Sequence, residues 1–326
     1  MFEALAVLAP MFLIFGVGFF AGYADRFKTG AKGLNDFVFS IALPCFIYIS
    51  IATADLPDSF PWQVWVYAFV LPAVFSVVVY YGAQWFTPHH RQHAAPLSLS
   101  ASYGNVGYFG IPMTIALLGT EAAVPAAIVH LLHNLVFLIG YPILRDDTHH
   151  APDQHSPVHR GRRTTAGRIG HELLSRAVLS PITISTLLGV GVVALRIPVP
   201  TMVHDTIQLV AATAIPLALF SVGVAMHPAL ASLRSGKLTF GLVLAGVGLK
   251  NVVFPLVTLG LAWVFRDAMG AAWFGTVLLM AAMPMSTSGY ILSERYDDSG
   301  DLAAAVLAGT TLLSIVTVPI LASLLF

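Results

Sequence analysis

The chain has 326 residues, of which 57% are apolar and only 10% charged, and its mean hydropathy is +0.81. Soluble globular proteins carry about 25% charged residues, so this composition excludes a soluble enzyme. The formal net charge of zero excludes a basic surface for nucleic acid, and the single cysteine, Cys45, excludes a disulfide framework or a cysteine-based zinc site.

Ten apolar stretches of spanning length follow one another along the chain. A helix needs about 20 apolar residues to cross a bilayer, and the alternating segments of about 10 residues that are typical of membrane β-barrels do not occur in this sequence. The first stretch is too long for the core of a cleavable signal peptide, so we expect it to be retained. The predicted spans 1 to 10 cover residues 4–23, 34–53, 61–86, 95–118, 122–144, 177–195, 203–226, 238–264, 270–293 and 302–325.

The basic residues predict the orientation of these spans. The segments that follow spans 1, 3, 5, 7 and 9 hold 13 of the 16 Lys and Arg residues, whereas only Arg196 and Arg266 lie on the other side. Because cytoplasmic loops are enriched in Lys and Arg, the sequence predicts a multi-pass protein of the cytoplasmic (inner) membrane with both termini outside.

The longest connection, residues 145–176, divides the spans into two sets of five. It is rich in His, Arg, Pro and Asp, which is typical of a flexible linker, and we interpret its histidines as solvated rather than metal-binding. No metal site and no cofactor are predicted. The predicted domains are a first five-helix repeat (1–144), a cytoplasmic linker (145–176) and a second repeat (177–326).

Two pairs of prolines relate the halves to each other. Pro44 in span 2 and Pro216 in span 7 are 172 residues apart, and so are Pro112 in span 4 and Pro284 in span 9. Because five is an odd number, a second copy would cross the membrane in the opposite direction. Inverted repeats with interrupted helices are typical of secondary transporters, in which they mark a substrate site near the midplane.

Spans 4 and 9 are predicted to be broken. Residues 104–112 and 284–289 are rich in Gly, Pro, Asn and Ser, which disfavour a continuous helix. If the second half of each span begins near Pro112 or Pro284, two helix amino termini face one point and form an anion site; two simple proline kinks are the alternative. The candidate substrate contacts are Gly104, Asn105, Tyr108, Ser286 and Ser288.

Lys250 lies near the middle of span 8, where a charged side chain costs about 2.5–3.5 kcal/mol on insertion scales. No acidic residue is expected at that depth, since Asp36 and Glu294 lie toward the cytoplasmic side. A substrate carboxylate is one candidate counter-ion, which adds Lys250 to the candidate substrate contacts. Backbone carbonyls of the broken helices are the alternative partner.

His130, His133 and Asn134 share one face of span 5, at positions i, i+3 and i+4. Histidine titrates near neutral pH, so His130 and His133 are candidates for a proton relay. Hydrogen bonding between helices is the alternative role. Two histidines at this spacing without a carboxylate do not predict a zinc site.

Together these motifs resemble the auxin efflux carrier family, which includes plant PIN-type carriers and bacterial permeases for malate, malonate and similar acids. Residues 105–112, followed by Gly119, are similar to the family's Asn-x4-Gly-Ile-Pro motif and downstream glycine. Residues 293–296 and 302–319 resemble its carboxy-terminal pattern, and Lys250 is similar to a basic residue of bacterial members. Pro44 and Pro216 also lie where the family carries prolines.

The resemblance implies ten helices in two inverted repeats, with broken helices 4 and 9 crossing at the substrate site. It also implies a scaffold of helices 1, 2, 6 and 7, a moving bundle of helices 3–5 and 8–10, and a homodimer. Asn105 matches the family asparagine that contacts a carboxylate, and Pro112 and Pro284 match the crossover prolines.

We therefore expect an all-α polytopic membrane protein that is not an enzyme. The expected function is secondary transport of small carboxylates by alternating access, either proton-coupled or as a uniporter. A sodium-coupled symporter of the bile-acid type and a ligand-sensing protein without transport are the alternatives. The expected partners are a small carboxylate, membrane lipid and a second copy of the chain, but no nucleic acid.

Overall fold

The computed structural model describes residues 2–53, 61–86, 92–146, 180–234, 240–296 and 301–325. Throughout these ranges the secondary structure is helical, apart from turns and one isolated β-bridge. Residues 147–179, and with them most of the predicted linker and its histidines, lie outside the described residues.

The helices are numbered here in chain order within the described ranges. They are α1 (Phe2–Ala21), α2 (Asp25–Ala52), α3 (Gln63–Phe86), α4 (Ala94–Ser102), α5 (Val106–Leu118), α6 (Ala123–Asp146), α7 (Pro181–Ala194), α8 (Thr201–Ala211), α9 (Ala214–Arg234), α10 (Phe240–Val264), α11 (Arg266–Met269), α12 (Ala271–Ala282), α13 (Thr287–Tyr296) and α14 (Asp301–Leu325).

Six helical stretches in the described ranges are long and apolar enough to cross a bilayer. They are Asp25–Ala52, Gln63–Phe86, Thr120–Tyr141, Thr201–His227, Phe240–Val264 and Asp301–Leu324. Four shorter apolar helices, Leu8–Ala21, Val106–Leu118, Pro181–Ala194 and Ala271–Ala282, lie within predicted spans 1, 4, 6 and 9. The chain is therefore a multi-pass helical membrane protein, and ten crossings stay a prediction from the sequence.

Four helices continue through an internal proline by means of a wide π-type turn. A proline has no N–H, and its ring collides with the carbonyl four residues earlier. In each helix the residue before the proline instead donates its N–H to the carbonyl five residues earlier, which widens the turn and makes room for the ring. The turns are Val38–Ala42 before Pro44, Val66–Val70 before Pro72, Val106–Gly110 before Pro112 and Leu249–Val253 before Pro255.

The break in predicted span 4 is not where the prolines indicated. The chain leaves the helix at residues 103–105 and resumes helical structure at Val106, so Pro112 lies seven residues beyond the break, after a wide turn. The physical reason is that the wide turn absorbs Pro112, whereas Gly104 and Asn105 open the backbone. In span 9 the break falls at Pro284 as expected, between α12 and α13.

The helices pack in two groups. In the first group, α1 lies along α9, while α2 contacts α7, α8 and α9. In the second group, α3 packs on α4 and α6, and α12 packs on α6 and α10. Helix α14 contacts both groups. In the first group the backbones of α1 and α9 touch, because a Cβ atom added at Gly18 or Gly223 would overlap the facing main chain.

Candidate functional site

The two helix breaks cross each other. The extended residues of the first break, after α4, lie antiparallel to those of the second break, after α12, with Gly104 opposite Met285. The N–H of Asn105 donates to the carbonyl of Pro284 at 2.8 Å, and the N–H of Ser286 donates to the carbonyl of Tyr103 at 2.9 Å. These bonds pair backbone groups that the open helices would otherwise leave unsatisfied inside the protein.

Each break is followed by a capped helix amino terminus. The Asn105 Oδ1 atom accepts the N–H of Tyr108 at 3.2 Å, and the Ser286 Oγ atom accepts the N–H of Ser288 at 3.2 Å. Asn and Ser are favoured at such positions because their side chains satisfy the free N–H groups of the first turn. Two helix amino termini, those of α5 and α13, are therefore brought to one place by the crossing, and each carries a positive dipole end.

Asn105 has a donor that nothing in the described structure uses. The residue is only 2% exposed, and its Nδ2 atom is buried without a hydrogen-bond partner. A buried, unpaired amide donor costs about 1–3 kcal/mol, so such a group needs an explanation. A ligand that accepts this hydrogen bond would remove the cost.

A cavity of about 450 Å³ lies against the crossing. Its apolar wall includes Phe39, Leu131, Leu138 and Ile291. The described residues that line it include no Lys, Arg, Asp or Glu. Six of the residues singled out from the sequence lie in this wall, namely Gly104, Asn105, Tyr108, His130, Ser286 and Ser288.

Lys250 is fully buried but does not line the cavity. Its Nζ atom donates to the carbonyl of Ala281, in the last turn of α12, at 2.9 Å and lies 4.9 Å from the centre of the Phe254 ring. A Cβ atom built on Gly104 would lie 3.4 Å from Nζ, so the ammonium group is close to a glycine of the cavity wall. The ammonium group therefore contacts a backbone carbonyl of a broken helix, which is the second of the two partners weighed from the sequence.

Helix α6 attaches to the first break through three polar side chains. His133 accepts the N–H of Gly104 at its Nε2 atom, at 3.0 Å. Asn134 accepts a hydrogen bond from the Tyr103 hydroxyl, and its Nδ2 atom lies 3.0 and 3.1 Å from the two ring nitrogens of His130. The i, i+3, i+4 face predicted from the sequence thus makes hydrogen bonds between helices. His130 lines the cavity, whereas His133 does not.

Sequence reasoning missed two residues of the crossing. Tyr103 contributes its carbonyl and its hydroxyl, and its position beside Gly104 was the available signal. Thr310 of α14 accepts the N–H of Met285 at 3.1 Å, which satisfies the second break from the other side. Nothing in the sequence around Thr310 distinguishes it from the other hydroxyl residues of this apolar helix.

Comparisons with known proteins agree with this architecture. A family model described as "Membrane transport protein" matches residues 4–322. A Rhizobium meliloti protein named "Putative malonate transporter" is 24% identical over 98% of this chain and 94% of its own length. Two proteins named "Uncharacterized transporter" are also similar. The one from Methanothermobacter thermautotrophicus is 25% identical over 90% of this chain and 88% of its own length. The other, YfdV of Escherichia coli K12, is 23% identical over 96% of this chain and 95% of its own length. The chain therefore belongs to the auxin efflux carrier family of membrane transport proteins, which are transporters rather than enzymes.

Proposed function

We propose that this protein is a secondary transporter of small organic anions that works by alternating access, either coupled to protons or as a uniporter. The observation that carries the proposal is the unpaired Asn105 Nδ2 donor, which belongs to a residue of the cavity wall at the point where two helix amino termini meet. Helix amino termini favour anions because their free N–H groups and dipoles are positive.

A carboxylate has the chemistry that this site lacks. Its oxygens accept hydrogen bonds, so one of them would satisfy Asn105 Nδ2, and the hydroxyls of Ser286 and Ser288 lie in the same wall. Charge-assisted hydrogen bonds of this kind are about twice as strong as neutral ones. Because the wall supplies no charged side chain among the described residues, the anion depends on helix dipoles and hydrogen bonds for direct contact.

Lys250 would add charge without touching the substrate. Two unit charges about 8 Å apart attract by about 2 kcal/mol at an effective dielectric constant of about 20. The Lys250 ammonium group is held close to Gly104 by its bond to Ala281. We assign it the role of a fixed positive charge behind the crossing.

The packing favours movement of one helix group against the other. The first group contains predicted spans 1, 2, 6 and 7, and the second contains most of spans 3–5 and 8–10. In the orientation predicted from the basic residues, Leu138, Pro181 and Ile291 lie toward the cytoplasmic side, so the cavity would open there. The inverted repeat, an inner-membrane location with both termini outside, and a homodimer are parts of this proposal that rest on the sequence and on the family resemblance.

Malonate is the first substrate to test, because the relative from Rhizobium meliloti carries that name. Purified protein is reconstituted into liposomes loaded with malonate, malate, succinate or butyrate, and uptake of the same labelled acid is measured. Each acid is tested with and without sodium and a pH gradient. We expect counterflow for at least one acid without a requirement for sodium. Absence of exchange for every acid, from protein that is folded and reconstituted, would refute the proposal, and strict sodium dependence would favour the bile-acid-type alternative.

A further inference from the structure

A chain of three polar side chains leads from the crossing to the cavity wall. The Tyr103 hydroxyl donates to Asn134 Oδ1, and Asn134 Nδ2 in turn lies at hydrogen-bond distance from the ring of His130. The Tyr103 hydroxyl also lies within hydrogen-bond reach of the side chains of Ser286 and Ser288. The chain therefore connects His130 to the hydroxyl pair at the amino terminus of α13.

The direction of this chain depends on the charge of His130. A neutral imidazole has one ring nitrogen that accepts a hydrogen bond, so it can accept from Asn134 Nδ2, and Asn134 Oδ1 then accepts from Tyr103. In the protonated ring both nitrogens are donors. Asn134 must then present Oδ1 to His130, and a half-turn of its amide group places Nδ2 against the Tyr103 oxygen. The hydroxyl hydrogen of Tyr103 is released from Asn134 and can point to Ser286, Ser288 or a bound anion.

We propose that His130, Asn134 and Tyr103 form a reversible hydrogen-bond chain that couples the binding of one proton to the binding of one organic anion. This inference rests on the proposed function and specifies its coupling ion. A proton from solvent binds a ring nitrogen of His130, the Asn134 amide turns over, and Tyr103 donates to the anion or to the serines that hold it. No covalent bond apart from the new N–H bond of the ring is formed or broken, and the substrate stays a carboxylate.

His130 is the residue of the cavity wall suited to carry this proton. Among the described residues that line the cavity, it is the side chain that changes charge near neutral pH. Its ring packs against the first turn of α5, because a Cβ atom added at Gly107 would lie 2.9 Å from the ring Cε1 atom. The proton would therefore sit beside the helix amino terminus where the anion is proposed to bind.

Other titratable or charged groups surround His130 and enter the same balance. His133 lies one turn further along α6, but its Nε2 atom accepts the N–H of Gly104, so it stays neutral while the crossing is intact. The groups contributed by the facing helices and the first break are Tyr103, Tyr108 of α5, Lys250 of α10, Tyr67 of α3 beside His133, and Asp36 of α2 within electrostatic range of Tyr108.

The two binding events must help each other equally. A bound carboxylate attracts a proton to His130, and a proton on His130 attracts the carboxylate, so the coupling is reciprocal. When one proton is taken up with each anion, the apparent affinity for the anion rises about tenfold for each pH unit that the solution is made more acidic. Transport of a singly charged anion with this proton would move no net charge.

Proton uptake on acid binding tests the inference. The full-length protein in detergent is titrated with malonate, or with whichever acid gave counterflow, in two buffers of different ionisation enthalpy at the same pH. The difference in heat gives the number of protons bound per acid. We expect about one proton for the wild type.

Three variants break the chain at different points. We expect uptake to fall to nearly zero in His130→Gln, which cannot bind the proton, and in Asn134→Asp, whose carboxylate cannot donate to Tyr103. Tyr103→Phe should also lose it while keeping the ring stacked on Phe137, where the ring centres are 4.5 Å apart. Tyr67→Phe is the matched control, because this buried tyrosine donates to Leu261 rather than to the chain, and it should behave as the wild type does.

The outcomes separate the two proposals. Acid binding without proton uptake in the wild type refutes the chain and leaves the transporter proposal intact. Full proton uptake in His130→Gln or Tyr103→Phe also refutes the chain. If no acid binds to folded wild-type protein, the proposed function fails and this inference fails with it.

Discussion

The N–H of Asn105 donates to the carbonyl of Pro284 across a sequence separation of 179 residues (284 − 105 = 179), at 2.8 Å. This bond joins the two helix breaks, and the Asn105 side chain at the same time caps α5. One residue therefore fixes the crossing through its backbone and the helix amino terminus through its side chain. Its second side-chain donor, Nδ2, stays unused. A structural role alone would not need that donor, and a substrate that accepts its hydrogen bond would.

Substitution of Asn105 should separate folding from substrate binding. Asn105→Asp keeps an oxygen to accept the Tyr108 N–H, so α5 remains capped. It also replaces a donor by a negative charge where the anion is proposed to bind. We expect thermal stability close to that of the wild type and at least a tenfold loss of acid counterflow. Asn105→Ser, which keeps the cap without adding charge, should lose less activity. Wild-type counterflow in Asn105→Asp would show that the anion does not bind at this residue.

Lys250→Met should nearly abolish transport while leaving the protein folded. Methionine fills much of the same volume but removes the buried positive charge behind Gly104. We expect counterflow below a tenth of the wild-type rate, with unchanged insertion and elution on size exclusion. Lys28→Met is the matched control, since that lysine is exposed and pairs with Asp25 at 3.3 Å. Full activity in Lys250→Met would remove the charge from the mechanism.

Thr310 should matter more for stability than its neighbour Thr311. Thr310→Val leaves the buried N–H of Met285 without its acceptor, and such a loss costs about 1–3 kcal/mol. Thr311 is equally buried, but its hydroxyl bonds only to the carbonyl of Leu307 in its own helix. Thr311→Val should therefore change the free energy of unfolding by less than about 1 kcal/mol. Thermal unfolding of the two variants in the same detergent compares them, and equal shifts would contradict this account of Met285.

The contact between α1 and α9 predicts a sharp difference between two glycines. A Cβ atom at Gly223 would overlap the carbonyl of Phe15, so Gly223→Ala must push the helices apart and cost about 1–3 kcal/mol. Gly16 has open space around its Cα, and Gly16→Ala should be neutral or stabilise α1 by about 0.5–1 kcal/mol. Unfolding in detergent measures both changes. A stable Gly223→Ala variant would mean that the two helices do not pack this closely.

The long spans were predictable because hydropathy and length determine them. Predicted span 3 (61–86) and span 8 (238–264) match the helices Gln63–Phe86 and Phe240–Val264 within three residues. Helix α2 begins nine residues before predicted span 2, because its first part, Asp25–Phe37, is charged and amphipathic and so falls outside a hydropathy pattern. The family could also be recognised from the sequence, through Asn105, Lys250 and the motifs around them.

The place of each break could be predicted only in part, because a proline has two structural outcomes. Pro112 is absorbed by a wide turn inside α5, whereas Pro284 lies in an open segment. Pairing these two prolines gave an offset of 172 residues. The crossing instead sets Gly104 against Met285 (285 − 104 = 181), and the wide turns before Pro72 and Pro255 are a similar distance apart (255 − 72 = 183). The inverted repeat stays a prediction, and its register in these helices is the one that the breaks and turns indicate.

The partners of buried polar groups could not be predicted at all. The sequence shows that Lys250 lies in an apolar helix, but not that Ala281 accepts its hydrogen bond or that Gly104 lies against its ammonium group. The reason is that these contacts join residues far apart in the chain. Their geometry depends on how the helices cross rather than on any local pattern.

The central claim is that the transported acid occupies the cavity at the crossing, and protection of a cysteine in its wall tests this most directly. Ile291 lines the cavity, is 61% exposed and makes no proposed substrate contact. In a Cys45→Ala background, Ile291→Cys is labelled with a thiol reagent in the presence and absence of the acid that gives counterflow. The control cysteine replaces Thr201, which is exposed on α8 away from the cavity. We predict that the acid slows labelling several-fold at position 291 and not at position 201. Equal labelling at position 291 with and without a transported acid would contradict the account.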